Sequence, residues 1–238
     1  YVWAVERGLG TVRPVVSVWA TDERFWTTFD GCDPDGYPYE RTLQHLAVVQ
    51  AVAEGQEILG SRDELRARIA PVTGERRRWF EAAADEHNTQ ISALLMRSAP
   101  GEVIGLARRD VGGLLDRAEA GEVLTDGEVL RVSTWTALIP VRDDFIGRID
   151  VQNAPASRAL WERASRITVP ALRPAALCLA GLAAHRCGEG AAAVVAAEAV
   201  VRETPEYSLG VLLLQIVEAG ISPDELSSVW RGEHRHAV

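Results

Sequence analysis

The sequence predicts an α+β chain that is mostly α: short strands or a hairpin at the front, then a multi-helix array. Three observations carry this. Ser61-Arg62-Asp63-Glu64, Thr125-Asp126-Gly127-Glu128 and Ser222-Pro223-Asp224-Glu225 each set a hydroxyl three residues ahead of a glutamate, the reciprocal cap of a helix start. Residues 171–226 form alanine- and leucine-rich stretches broken at Gly188, Pro205 and Gly220, the pattern of closely packed helices. Residues 15–29 are instead rich in β-branched and aromatic side chains.

At the front, residues 15–20 (VVSVWA) and 24–29 (RFWTTF) flank a polar break, Thr21-Asp22-Glu23, and read as a hairpin. Residues 1–6 read as a third strand. Since the chain opens directly into it, further residues are expected upstream. Residues 30–39 are turn-dense, with two Gly, two Pro and three Asp. The expected division is a β-rich element at 1–39, a helical domain at 40–232 and a tail at 233–238. Within the helical part, residues 40–54, 61–70, 73–98, 102–120, 125–138, 141–149 and 155–166 show helical patterning, with Gly112-Gly113 a weak spot. Helices then follow near 174–187, 191–203 and 206–220, and the Ser222 box opens one more.

Composition narrows the function classes. Net charge is −9, and the basic clusters Arg76-Arg77-Arg78 and Arg108-Arg109 are short and flanked by acids. That argues against a nucleic-acid binder, which would show a basic stripe. All 25 basic residues are arginine. Schiff-base lysine catalysis, Ser–Lys dyads and the lysine of a phosphate loop are therefore excluded within this chain. Cys32, Cys178 and Cys187 are an odd, scattered set without zinc spacing, which fits a reducing cytoplasm. No apolar run approaches the ~20 residues of a membrane helix, so no membrane association is expected.

The chemistry-bearing residues are few. Asp33-x-Asp35-Gly36 has the flavour of a calcium loop, but its first and twelfth ligand positions would be Gly31 and Thr42, which cannot serve. A capped turn is the default there. His185 and Cys187 lie two apart on a helix and point in different directions. No nucleophile elbow, zinc-protease motif, dinucleotide fingerprint or phosphate loop is present. The expected catalytic residues, metal ligands and cofactors are accordingly none. Binding candidates are Arg24 and Trp26, an arginine–aromatic pair of the kind enriched in interfaces; Asp33 and Asp35 in the loop; and Arg142 with Asp143, just after Pro140 between two helices. For the last pair the plain reading is acids at a helix start and an interhelical ion pair.

Several of these pieces together resemble a family of high-GC Gram-positive bacteria known as the domain of unknown function four-one-nine-two. Val18-Trp19-Ala20 through Arg24-Phe25-Trp26 is similar to its strand and hairpin, Asp33-Pro34-Asp35-Gly36-Tyr37-Pro38 to its acid-Gly-x-Pro loop, and Ser61-Arg62-Asp63-Glu64-Leu65 to its helix start. Val141-Arg142-Asp143, Gly188-Glu189-Gly190-Ala191, Pro205-Glu206-Tyr207-Ser208-Leu209 and Gly220 with Pro223 continue the likeness. The family often pairs cysteines near the acid-Gly loop, where this chain has Cys32 alone. The resemblance implies no known activity. The C-terminal helix pairs also look like tetratricopeptide hairpins, with small residues at crossings and a proline at the turn.

The expected function is a non-enzymatic helical interaction or scaffold module in the cytoplasm, binding a protein partner or a second copy of itself. The competing expectation is an enzyme or small-ligand-binding protein, with a site between the β element and the helices that uses Arg24, Asp33, Asp35 and Arg142.

Overall fold

The computed structural model describes residues 61–223, 225 and 226, and the backbone of residues 18–20, 24–27 and 37–38. The chain divides into two compact units, Tyr1–Ile58 and Leu59–Val238. In the first, β1 (Val18–Ala20), β2 (Arg24–Thr27) and β3 (Tyr37–Pro38) pair antiparallel in that order. Trp19 lies opposite Trp26, and Arg24 opposite Pro38. The helix expected over residues 40–54 and the tail at 233–238 lie outside the described residues.

The second unit corrects the expected α+β class. Helices take up 78% of its described residues, among which there is no strand. Strands of two to four residues are too short to supply a sheet face for a core. β-branched and aromatic residues mark a pleated surface only where another layer covers it. Every buried apolar residue described belongs to the helices or to their connections, so the class that this core defines is all-α. The C-terminal helices, expected as tetratricopeptide-like hairpins, form one three-helix stack there.

The helices begin where local chemistry starts them. α1 (Arg62–Ile69) is capped by Ser61, whose hydroxyl accepts from the Glu64 amide at 3.3 Å. α2 (Gly74–Leu95) and α3 (Pro100–Glu119) follow. Gly112 and Gly113 do not break α3, because Val103, Ala107, Val111 and Leu115 bury one continuous face around them. α4 (Asp126–Thr134) opens on the Thr125 box: the Thr125 amide donates to Glu128 Oε2 at 2.7 Å and the Glu128 amide to the Thr125 hydroxyl at 3.3 Å. A 3-10 turn, Trp135–Ala137, leads into α5 (Ile139–Arg148). α6 (Ala154–Ile167), α7 (Arg173–Arg186), α8 (Gly190–Glu203) and α9 (Ser208–Glu218) complete the order. Beyond them, Ser222 and Glu225 cap each other, at 2.8 and 3.3 Å.

The main core gathers side chains from α2 to α7, with Phe145 and Trp161 in ring contact at 5.3 Å. α7 is the central helix: every residue from Arg173 to His185 is buried. One side, Leu179, Ala180 and Ala183, joins the main core. Leu177, Cys178 and Leu182 face α8 and α9 instead. A helix covered on all sides must be apolar all round, which is why this stretch is so legible in the sequence.

Arg173 ties four elements together at the start of α7. It is 6% exposed, and its guanidinium grips both carboxylate oxygens of Glu203 in α8, at 2.7 and 3.2 Å. Its remaining nitrogen donates to the carbonyl of Ile69 at the end of α1, at 3.0 Å, and to that of Ser165 in α6. Breaking a buried pair of this kind costs about 3–5 kcal/mol. More exposed arginines repeat the device. Arg108 reaches Asp144 from α3 to α5 at 2.7 and 3.0 Å, and Arg62 reaches Glu198 from α1 to α8 at 2.5 Å. Asp126 receives Arg76 from α2 at 3.0 Å and Arg163 from α6 at 3.1 Å.

The C-terminal stack closes through glycine. A Cβ on Gly210 would stand 2.2 Å from Val200 Cγ1, and one on Gly181 would stand 2.7 Å from Leu213 Cδ2. A Cβ on exposed Gly113 meets nothing within 4 Å. Gly210→Ala should therefore cost about 1–3 kcal/mol by forced displacement of α9. Gly113→Ala should instead gain roughly 0.5–1 kcal/mol from helix propensity. Urea unfolding of both variants checks this pair of opposite signs.

The α4 cap also makes stability depend on acid. Arg117, and after it the Thr125 amide and hydroxyl, pull the Glu128 carboxyl down to about 2. Arg117 lowers Glu122 as well. Burial pushes Asp126 up, but hydrogen bonds from Arg163 and Arg76 outweigh it and leave it low. Groups lowered on folding stabilise the native state above their unfolded value, near 4.5 for Glu128. That contribution fades as pH falls towards the folded value. Glu128→Gln, which can still cap, should lose stability less steeply than the parent between about pH 5 and pH 2. Parallel curves of urea midpoint against pH would contradict this.

Candidate functional site

Of the binding candidates, Arg142 and Asp143 are fully described, near the start of α5. Arg142 is held closely. Its Nε and Nη2 donate to Asp143 Oδ1 at 3.0 and 2.7 Å, and its Nη1 donates to the Tyr207 hydroxyl at 3.1 Å, just ahead of α9. Burial opposes its charge, but the bonds to Asp143 and Tyr207 outweigh it and raise its pKa. The guanidinium also lies over the Tyr207 ring, 6.0 Å from the centroid. This arginine bridges α5 to the α8–α9 turn with all three nitrogens engaged. Arg24 and Trp26 sit in β2, where only backbone is described. Asp33 and Asp35 lie outside the described residues.

The remaining titratable candidates are structural. Cys178 is buried, and burial lifts its thiol to about 12. Cys187 is half-buried; burial, then Glu189, lifts it to about 11. Neither is a thiolate near neutrality, so neither is a ready nucleophile. His185 is in hydrogen-bond contact through Nε2 with the carbonyl of Ile221 at 2.8 Å, tying α7 to the segment after α9. Among the described residues, no cluster of three or more His, Cys, Asp or Glu is placed to hold a metal ion.

A different place has the shape of a site. A cleft of about 400 Å³ lies between α2, α3 and the end of α4. Its lining includes His87, Gln90, Ile91 and Leu94 from α2, Leu106, Arg109 and Asp110 from α3, and Arg131, Thr134 and Trp135 across from them. The α2 residues at 87, 90, 91 and 94 form one helical ridge, so the cleft runs along that helix. Asp110 organises the opposite wall. It accepts the Trp135 indole N–H at 2.8 Å and both Nε, at 2.7 Å, and Nη2 of Arg131. The carboxylate is thereby engaged, the indole ring is fixed, and Arg131 is aimed along the rim. Arg109 is exposed and makes no hydrogen bond or ion pair among the described residues. The Nδ1 of His87 is buried without a hydrogen-bond partner.

Chemically, the cleft offers an apolar floor and a cationic rim, with its carboxylate already engaged by Arg131 and Trp135. Sequence reasoning missed it. In the sequence Arg108-Arg109 is a short basic cluster flanked by acids, and Trp135 falls inside the helical stretch 125–138. Nothing local announces that positions 87–94, 106–110 and 131–135 converge, because that convergence is set by helix crossing.

Asp110→Ala should leave the Trp135 indole and Arg131 without their acceptor and destabilise the fold by about 1–3 kcal/mol, read by urea unfolding. An unchanged midpoint would show that Asp110 does not hold this wall.

No helix among the described residues is long and apolar enough to cross a membrane. No curated protein and no solved structure matches the chain. The family model for a domain of unknown function, DUF4192, matches residues 5–224. That span takes in the hairpin, the arginine ties, the cleft and the C-terminal stack, and the chain belongs to the DUF4192 family.

Proposed function

We propose that this chain is a non-enzymatic helical interaction module that binds a protein partner along the α2–α3–α4 cleft. The observation that carries this is the cleft's composition: an open apolar floor whose one carboxylate, Asp110, is already engaged by Arg131 and Trp135. Apolar exposure continues past the cleft at the end of α2, where Leu95 is 43% and Met96 89% exposed. Exposed apolar surface rimmed by polar residues marks interaction sites. The engagement of Arg142 by Asp143 and Tyr207 supports the same reading, since it takes one candidate away from a substrate site. A net charge of −9 favours a protein over a nucleic acid as partner. Free thiols at Cys178 and Cys187 support a reducing, cytoplasmic setting.

The test is site-specific photocrosslinking in the native host. A benzophenone side chain at Leu106, in the cleft, should give a discrete adduct. The same group at Val123, exposed but not part of the cleft lining, should not. Equal labelling from both positions, or no adduct from Leu106, would count against the proposal.

A further inference from the structure

Resting on that reading, we infer that the cleft's occupant is an acidic amphipathic helix of the partner protein. Charge decides the sign. The cations of the lining are Arg109 and Arg131, and its carboxylate is paired. Arg131 already neutralises Asp110, so the unmatched charge at the rim is that of Arg109. Arg62, Arg108, Arg117, Arg148, Arg158 and Arg173 each reach a carboxylate within this body, whereas Arg109, like Arg97 and Arg166, reaches none among the described residues; of these three, Arg109 alone lines the cleft. Arg109 is left for an acid from outside. The chain as a whole is acidic, but that field is screened beyond roughly 10 Å at physiological salt. Arg109 acts at contact distance.

Geometry decides the shape. The floor follows one ridge of α2, from His87 to Leu94, about 10 Å or two helical turns. The facing wall is a second helix, α3. A trough between two helices takes a third helix by ridge-into-groove packing. A strand would need an exposed sheet edge, and the described part of this body has none. The occupant is then a helix with apolar anchors at i, i+4 and i+7 that meet Ile91, Leu94 and Leu106. A carboxylate beside that stripe meets Arg109. Leu95 and Met96 extend the apolar contact at one end.

The experiment is selection of a displayed library of 16-residue helical peptides against the full chain. Fluorescence anisotropy then follows with the winning peptide. Enriched sequences should carry net negative charge and apolar residues at i, i+4 and i+7. Arg109→Glu should weaken binding about tenfold, and added salt should weaken it too. Arg78→Glu, outside the lining, should leave it unchanged, and both variants should keep the parent's unfolding midpoint. Enrichment of basic or neutral peptides, or indifference to Arg109→Glu, overturns the acidic occupant. The interaction reading then still stands if Leu106→Ser abolishes binding. Failure to enrich any peptide that depends on Leu106 overturns both. Concentration-dependent dimerisation that Leu106→Ser abolishes, read by sedimentation, overturns the inference in favour of a second copy.

Discussion

Arg173 is a charged side chain placed where a helix bundle can least accommodate one, at the buried start of its central helix. It is stable there because its donors all point at acceptors: the two oxygens of Glu203, and the carbonyls at the ends of α1 and α6. Those carbonyls belong to helix C-termini, which lack intrahelical partners and carry partial negative charge. One guanidinium thus resolves two helix ends and one carboxylate. It also fixes where α7 enters the core. With that entry set, Leu179 and Ala183 reach the main core, Leu177 and Leu182 reach the stack, and Gly181 and Gly210 can close it. The choice of arginine matters. A planar fork can serve a carboxylate and a carbonyl together, whereas an ammonium group acts as a point charge. In a chain with no lysine, arginine supplies this chemistry at the interhelical ion pairs of the described residues.

Much of the helical body was legible in the sequence because its signals are local. Thr125 and Ser222 form the reciprocal caps that their spacing implies, and Ser61 caps its helix through its hydroxyl. Gly188, at φ 76°, and Gly220, at φ 65°, sit in the left-handed region that ends helices. The fold class was not legible in the same way. The residues of 15–29 have strand chemistry, but class is decided by which layers share a core, and the core described here is helical throughout. Gly112-Gly113 misled in the opposite direction. Its cost is local, while the face that holds α3 together spans four turns.

The candidate site was hidden for a related reason. A cap can be read over four residues; a cleft assembled from three helices cannot. Arg109 resembles its neighbour Arg108 in sequence, yet Arg108 is paired with Asp144 and Arg109 is not. What separates the two is the neighbour each meets: Asp144 of α5 for Arg108, the open cleft for Arg109. Arg142 shows the converse. The sequence marked it, and the structure places it in a bridge to Tyr207 that closes the α8–α9 turn.

The burial of α7 on every side has a consequence for how the protein is made. The chain leaves the ribosome N-terminus first, at about 5–20 residues per second. When α6 has emerged, the main core is still missing Leu179, Ala180 and Ala183, and Trp161 and Phe145 lack their cover. When α7 emerges, its other side in turn waits for α8 and α9. For several seconds the nascent chain carries an open apolar face, first on the core and then on the helix that fills it. The order of synthesis therefore makes α7 to α9 the closing step for the helical core that precedes them, and a chain stopped within α7 would be left as a sticky intermediate.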